Sequence, residues 1–185
     1  ETPLVMVLAQ RPGPATGLPT RTAQGDLLFA LHAGHGEFAK LVMAPSDPKD
    51  AFFKTVRAFN LADKYQTPVI LLTDQFLADS RFSIDELDPD EAVVEFHTAK
   101  PSEVQEYGRY RFTESGISPR LVPGQSEHLV GADSDEHDEL GHITEDLQET
   151  ALPMAKKRLV KLEGLRQEVH PPEEIGLDDA DVVFV

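Results

Sequence analysis

There is no cysteine among the 185 residues. That excludes a disulfide, a cysteine-held zinc and an iron–sulfur cluster within this chain, and it fits the cytoplasm, the compartment we expect. Positive charge is scarce, with 17 lysines and arginines against 33 aspartates and glutamates, a formal charge of −16. Such an acidic surface repels nucleic acid and anionic membranes, so neither is an expected partner. No apolar run approaches the roughly 20 residues of a membrane span, and no charged-then-apolar leader opens the sequence. A nucleophile-elbow pattern and a Gly-rich phosphate turn between strand and helix are both missing, which leaves hydrolase and nucleotide-kinase readings without a motif.

What is present is enough to build a core, since 40% of the residues are hydrophobic. The run "PLVMVLA" is continuous and apolar from Leu4 to Leu8, the pattern of a strand buried on both faces of a parallel sheet. It is followed by "QRPGPATGLPT", Gln10 to Thr20, whose three prolines and two glycines surround one arginine. Proline fixes φ and removes a donor while glycine opens φ, so this stretch neither continues a strand nor begins a helix. It reads as a shaped loop. Ligands of open α/β sheets bind just beyond the carboxyl ends of the strands, which is where Arg11 would sit with its fork of donors. The competing reading is a stiff surface turn with a solvated arginine.

Beyond the loop, "TAQGDLLFALHAGHGE" spaces Leu27, Leu28 and Leu31 as a short helix stopping at Gly34. "AKLVMAP" reads as a brief strand. The clearest helix follows, with Asp47 as N-cap, Pro48 first, and Phe52, Val56 and Phe59 on a core-facing stripe, ending before Pro68. "PVILLTD" is another buried strand, so residues 1–80 alternate as a parallel α/β sheet flanked by helices. Residues 81–142 are rich in charge, proline and glycine, with only short apolar runs such as "AVVEF", and read as a long irregular connector with room for a small hairpin. In residues 143–180, Thr144 is placed to cap a helix running to about Leu165, with Leu147, Ala151, Met154, Leu162 and Leu165 on its stripe and Pro153 kinking it or marking its true start. Residues 181–185 complete "DDADVVFV" as a final strand that nothing covers. With a strand at both ends, we expect a piece of a longer polypeptide.

Seven histidines among many acids raise the question of a metal. "EHDELGH" offers His137, Asp138 and His142, but it lies in no regular element and its spacing matches no strong ligand signature, so no metal site is assigned. His32 and His35 fall at a helix end, where capping or surface roles suffice.

"QRPGPATGLPTRTAQGDLLFALHAGHGE", "YQTPVILLTDQFLADS", "GISPRLVPGQ" and "EHDELGHITED" together resemble, in order, the alpha subunits of 2-oxoacid:ferredoxin oxidoreductases of the 2-oxoglutarate type. The resemblance covers nearly the whole chain. In that family the loop reads Q-R-x-G-P-S-T-G-L-P-T, and here the usual serine is Ala15. The resemblance implies a partial thiamine-diphosphate pyrimidine-binding domain in residues 1–80, the connector in 81–142, a helix and linker in 143–180, and the first strand of a transketolase-C-like domain in 181–185.

It further implies the oxidative decarboxylation of a 2-oxoacid, 2-oxoglutarate favoured, to an acyl-CoA with reduction of ferredoxin. Thiamine diphosphate, its magnesium and an iron–sulfur cluster would be held mostly by a beta subunit, none of them by this fragment alone. The partners would be that beta subunit, ferredoxin, the 2-oxoacid and coenzyme A. A Y-P-I-T-P substrate motif and a cofactor-activating glutamate would precede Glu1, so the 185 residues by themselves are expected to be inactive. Carried over by position, Arg11 corresponds to an arginine that pairs with the substrate carboxylate, and Thr20 to a hydroxyl beside the substrate or CoA path. Gly13, Pro14, Gly17 and Pro19 are loop scaffold, and no residue of this chain is assigned as catalytic. Two other readings stand beside this one: a non-catalytic subunit-interaction module of such an assembly, or another transketolase-like thiamine enzyme.

Overall fold

The structure is a computed structural model that describes residues 1–171, 176 and 180–182. Three strands, β1 (Leu4–Gln10), β2 (Leu41–Met43) and β3 (Pro68–Asp74), form a parallel sheet in the order β1-β3-β2. Between and after them run α1 (Leu27–His32), α2 (Pro48–Tyr65), α3 (Gln75–Asp79) and, beyond a long connector, α4 (Leu152–Glu168). The expected parallel α/β sheet with flanking helices is the fold. Among the described residues no helix is long and apolar enough to cross a membrane.

Side chains of a strand alternate between faces, and β3 shows it. Val69 and Leu71 join Ala58, Leu61, Ala62, Tyr65 and Leu165 in one core cluster, while Ile70 and Leu72 pack on the other face with Ala30 of α1. The continuous apolar run of β3 is thus buried on both sides. The same expectation fails for β1, where Leu4, Met6 and Val7 are 48%, 39% and 65% exposed. β1 is an edge strand, and the described residues do not supply the layers its apolar run is suited to. Leu27, Leu28 and Leu31 are likewise exposed, and α1 buries Ala30 instead.

In α2 the capping was legible: Asp47 Oδ1 accepts from Asp50 N at 2.8 Å and Pro48 is the first helical residue. Its buried stripe is not the expected one. Ala58, Leu61, Ala62 and Tyr65 face the sheet, Phe52 and Val56 lie partly buried at the margin, and Phe59 is 60% exposed. Two alanines on that face let the helix sit close to the sheet and turn the larger phenylalanines aside.

The last helix begins differently from its expectation. Asp146, rather than Thr144, supplies the cap, its Oδ1 accepting from Gln148 N at 2.9 Å and Glu149 N at 2.7 Å. Thr144 Oγ1 only accepts from Asp146 N at 3.2 Å. A π-helical turn, Leu147–Ala151, leads directly into α4, whose second residue is Pro153. The buried residues of α4 are Met154, Lys157, Lys161 and Leu165, and Leu147 is 77% exposed. Lysines enter the interior because Glu1 meets them, with Lys157 Nζ donating to Glu1 Oε2 at 2.6 Å and Lys161 Nζ lying 3.4 Å from Glu1 Oε1. At the far end of α4, Glu168 Oε1 accepts from Lys64 Nζ at 2.6 Å and from the Tyr65 hydroxyl at 2.9 Å, joining α4 to α2.

Between α3 and the π-helical turn the backbone has single 3-10 turns at Pro89–Glu91 and Pro101–Glu103. The "AVVEF" stretch forms no strand. Those residues instead run along α2, with Asn60 Nδ2 donating to Val93 O at 2.7 Å, Glu95 N to Asn60 Oδ1 at 3.0 Å and His97 N to Asp63 Oδ2 at 2.7 Å. An isolated antiparallel bridge joins His137 to Ile143. Of the strand expected over residues 181–185, the last three residues lie outside the described residues.

Candidate functional site

β1 and β3 are adjacent and parallel, so their carboxyl ends open on one edge, and Gln10 and Asp74 are partners in register there. Both apolar runs finish on a polar residue that is only 6% exposed. Each is buried with its side-chain oxygen atoms accepting hydrogen bonds. Gln10 Oε1 accepts from Asp26 N at 3.0 Å. Asp74 Oδ1 accepts from Leu77 N at 2.8 Å, capping α3, and Oδ2 accepts from Gln24 Nε2 at 2.7 Å. These donors, with the nearby Arg11 guanidinium adding to them, hold the Asp74 carboxyl below the usual carboxylate range.

Arg11 follows directly. Its Nε donates to Pro19 O at 2.8 Å and its Nη1 to Gln10 O at 2.9 Å, so the guanidinium is fixed by carbonyls at both ends of its own loop. Nη2 makes no hydrogen bond among the described residues and remains a donor. Leu18 N donates to Pro12 O at 3.4 Å and closes the same loop. At Gly17 a Cβ would stand 3.2 Å from Pro14 O and 3.4 Å from Gly13 O, so a larger residue would need the loop's own backbone to give by a few tenths of an ångström. Gly13 has no such neighbour, and its bond to Pro14 is cis. Ala15, in the place of the expected serine, has φ +52°. Thr20 is exposed, one residue past the carbonyl that accepts from Arg11.

Arg11 thereby stands at the strand ends with Gln10, Gln24 and Asp74, three residues that the sequence reading did not single out. For Gln10 and Asp74 the signal was there: a hydrogen-bonding side chain ending each of two apolar runs, in "LVMVLAQ" and "PVILLTD".

The histidines go elsewhere. His137 stacks on Tyr110 with ring centroids 3.7 Å apart, and burial pushes its pKa down. Asp138 Oδ1 accepts from Leu140 N and His142 N, closing the turn, and Glu136 holds Arg158 through both oxygens at 3.1 and 2.8 Å. His32 Nδ1 lies 2.9 Å from Leu28 O, within its own helix. Among the described residues no three His, Asp or Glu side chains are placed to hold a metal ion.

A cavity of about 1010 Å³ opens at the opposite end of the sheet, where Glu1, Leu4, Pro68 and Lys161 line it. Burial there pushes the Lys161 amine down to about 8. Among its charged groups, Lys161 Nζ lies 3.4 Å from Glu1 Oε1 and Arg158 pairs with Glu136.

Residues 1–157 match the family model described as pyruvate flavodoxin/ferredoxin oxidoreductase, thiamine diphosphate-binding. The alpha subunit of 2-oxoacid:ferredoxin oxidoreductase 1 from Sulfurisphaera tokodaii is 46% identical over 176 residues, covering 94% of this chain and 27% of that protein. The KorA subunit of 2-oxoglutarate synthase from Methanothermobacter marburgensis is 29% identical over 187 residues, covering all of this chain and 48% of that subunit. A solved structure of 2-oxoglutarate:ferredoxin oxidoreductase from Magnetococcus marinus, with 2-oxoglutarate, coenzyme A and succinyl-CoA bound, superposes with a TM-score of 0.82 at 36% identity over 92% of this chain and 29% of that one. This chain therefore spans about a quarter to a half of the length of these relatives. It belongs to the pyruvate flavodoxin/ferredoxin oxidoreductase family.

Proposed function

We propose that this chain is part of the alpha subunit of a thiamine-diphosphate-dependent 2-oxoacid:ferredoxin oxidoreductase, and that it supplies the arginine that receives the substrate carboxylate. The carrying observation is Arg11: a guanidinium at the carboxyl end of β1, held by two backbone carbonyls, with Nη2 still able to donate. A planar fork so constrained suits a planar carboxylate and loses little freedom on binding it. The Asp74 carboxylate beside it is already engaged by Gln24 and Leu77, so it does not consume the free edge of Arg11 in a direct hydrogen bond. Thr20, next to that arginine's acceptor Pro19, is the hydroxyl we assign to the substrate or coenzyme A path.

The residues at this edge fit a carboxylate better than a diphosphate with magnesium. They offer one guanidinium and a single carboxylate, Asp74, already engaged by Leu77 and Gln24, with no cluster of three potential metal ligands among the described residues. The proposal accordingly puts thiamine diphosphate, magnesium and the iron–sulfur cluster on the rest of the assembly, chiefly a beta subunit, with ferredoxin as acceptor, and a cytoplasmic location. 2-Oxoglutarate is the favoured substrate on the similarity to the Methanothermobacter synthase subunit and the Magnetococcus enzyme.

The test is kinetic, on the full-length subunit assembled with its partner. A charge-assisted hydrogen bond contributes about 1.5–3 kcal/mol, so Arg11→Ala should lower kcat/KM for 2-oxoglutarate by roughly 10- to 150-fold, mostly through KM, because the carboxylate is bound in the ground state. Arg11→Lys keeps the charge without the fork and should fall between. Near-wild-type values in both variants, with 2-oxoglutarate and with pyruvate, would remove Arg11 from the site.

A further inference from the structure

The loop from Arg11 to Asp26 is closed twice. Its first half is a ring, fastened by Arg11 Nε to Pro19 O at 2.8 Å and by Leu18 N to Pro12 O at 3.4 Å. Its second half returns to the ends of two different strands. Asp26 N donates to Gln10 Oε1 at 3.0 Å, on β1, and Gln24 Nε2 donates to Asp74 Oδ2 at 2.7 Å, on β3. The two anchors are neighbours in register and each is 6% exposed, so they move with the sheet and not with the surface. Between ring and anchors, the backbone bond from Arg21 N to Leu18 O at 3.1 Å stiffens the turn, while Thr20 itself is exposed.

We propose that Gln24 and Asp74 are positioning residues whose hydrogen bond latches the return half of the loop onto β3 and so holds Thr20 and Arg11 over the strand ends. The inference rests on the reading of Arg11 as the carboxylate ligand. It explains a division of labour within one carboxylate: Oδ1 caps α3 through Leu77 N, and Oδ2 holds the loop. It also explains the need for an amide at 24. Only a neutral donor long enough to reach satisfies the buried carboxylate without adding a second positive charge beside Arg11.

The two jobs of Asp74 can be separated, because changing Gln24 removes the latch and leaves the α3 cap. In the assembled full-length enzyme, without substrate, Gln24→Ala should speed amide exchange across residues 15–26 by about tenfold, the loss of one hydrogen bond to a charged group. Gln24→Glu, which sets two carboxylates together, should do so further. Both should raise KM for 2-oxoglutarate about five- to tenfold and leave kcat within about twofold, as expected where ground-state binding alone is disturbed. The double variant Gln24→Glu with Asp74→Asn reverses donor and acceptor across the same gap while keeping an oxygen for Leu77, and should restore slow exchange and most of KM. Unchanged exchange in Gln24→Ala and Gln24→Glu overturns the latch. Faster exchange with an unchanged KM overturns positioning, and so does a double variant no better than Gln24→Glu. A wild-type KM in Arg11→Ala beside fast exchange in Gln24→Ala would instead locate the failure in the Arg11 reading.

Discussion

At the scale of single residues, close approach decides more than polarity does. Gly164 lies within α4 where an added Cβ would stand 2.7 Å from Tyr65 Cε1 and 3.2 Å from its hydroxyl. Replacing a helical glycine by alanine ordinarily favours the helix by about 1 kcal/mol. Here the methyl must displace a rigid ring whose hydroxyl donates to Glu168 at 2.9 Å, and overpacking of that kind costs about 1–3 kcal/mol, with the hydrogen bond added. The steric term wins. Gly164→Ala should lower stability by about 1–2 kcal/mol in urea unfolding. A variant as stable as wild type would mean that Tyr65 swings aside without leaving Glu168.

At the scale of elements, the start of the last helix shows how local chemistry can be read at the right place and assigned to the wrong atom. "TEDL" offers a threonine and an aspartate two apart, and either residue type caps helices. The structure gives both N–H groups of the first turn to Asp146 and leaves Thr144 bonded to the amide of Asp146. Asp146→Ala should therefore cost about 1 kcal/mol, the typical loss of an N-cap, and Thr144→Ala only a few tenths. Thermal unfolding of the two variants side by side checks the order. A larger loss at Thr144 would return the cap to it.

At the scale of the whole molecule, an acidic surface surrounds several apolar faces that the described residues leave open. β1 is an edge strand with Leu4, Met6 and Val7 exposed, and α1 turns Leu28 and Phe29 outward at 70% and 65%. The connector adds Val93, Val94 and Phe96 at 68%, 62% and 84%. Along Val93–His97 the grip on α2 comes from hydrogen bonds to Asn60 and Asp63, whereas farther along the connector Arg109, Tyr110, Ser118 and Leu121 are buried. A segment held by surface hydrogen bonds opens easily. In the proposed assembly, amide exchange over residues 81–98 should be fast in this chain alone and slower in the complete enzyme, where partner surfaces cover those side chains. Equal rates in both would count against a connector that contacts a partner.

Some of this protein was determined by sequence alone. The three strands, the cap of α2 by Asp47 with Pro48 behind it, and the loop after β1 follow from short-range rules: apolar continuity, capping chemistry and the restricted backbone of proline and glycine. These act within a few residues, so the sequence carries them in plain view. The resemblance in the Gln10–Thr20 loop and the later motifs agreed with the family match for the same reason, since a shaped loop must spell out its shape. Tertiary structure alone decided what lies far apart in the chain. It chose Ala58 over Phe59 as the buried face of α2, because the sheet admits the smaller side chain. It buried Lys157 and Lys161, because Glu1 is there to meet them. It placed Asp74 beside Gln10 and within reach of Gln24, because β3 lies next to β1 in the sheet although β2 comes between them in sequence. Parallel pairing joins residues separated by an entire crossover, and no local pattern names the neighbour.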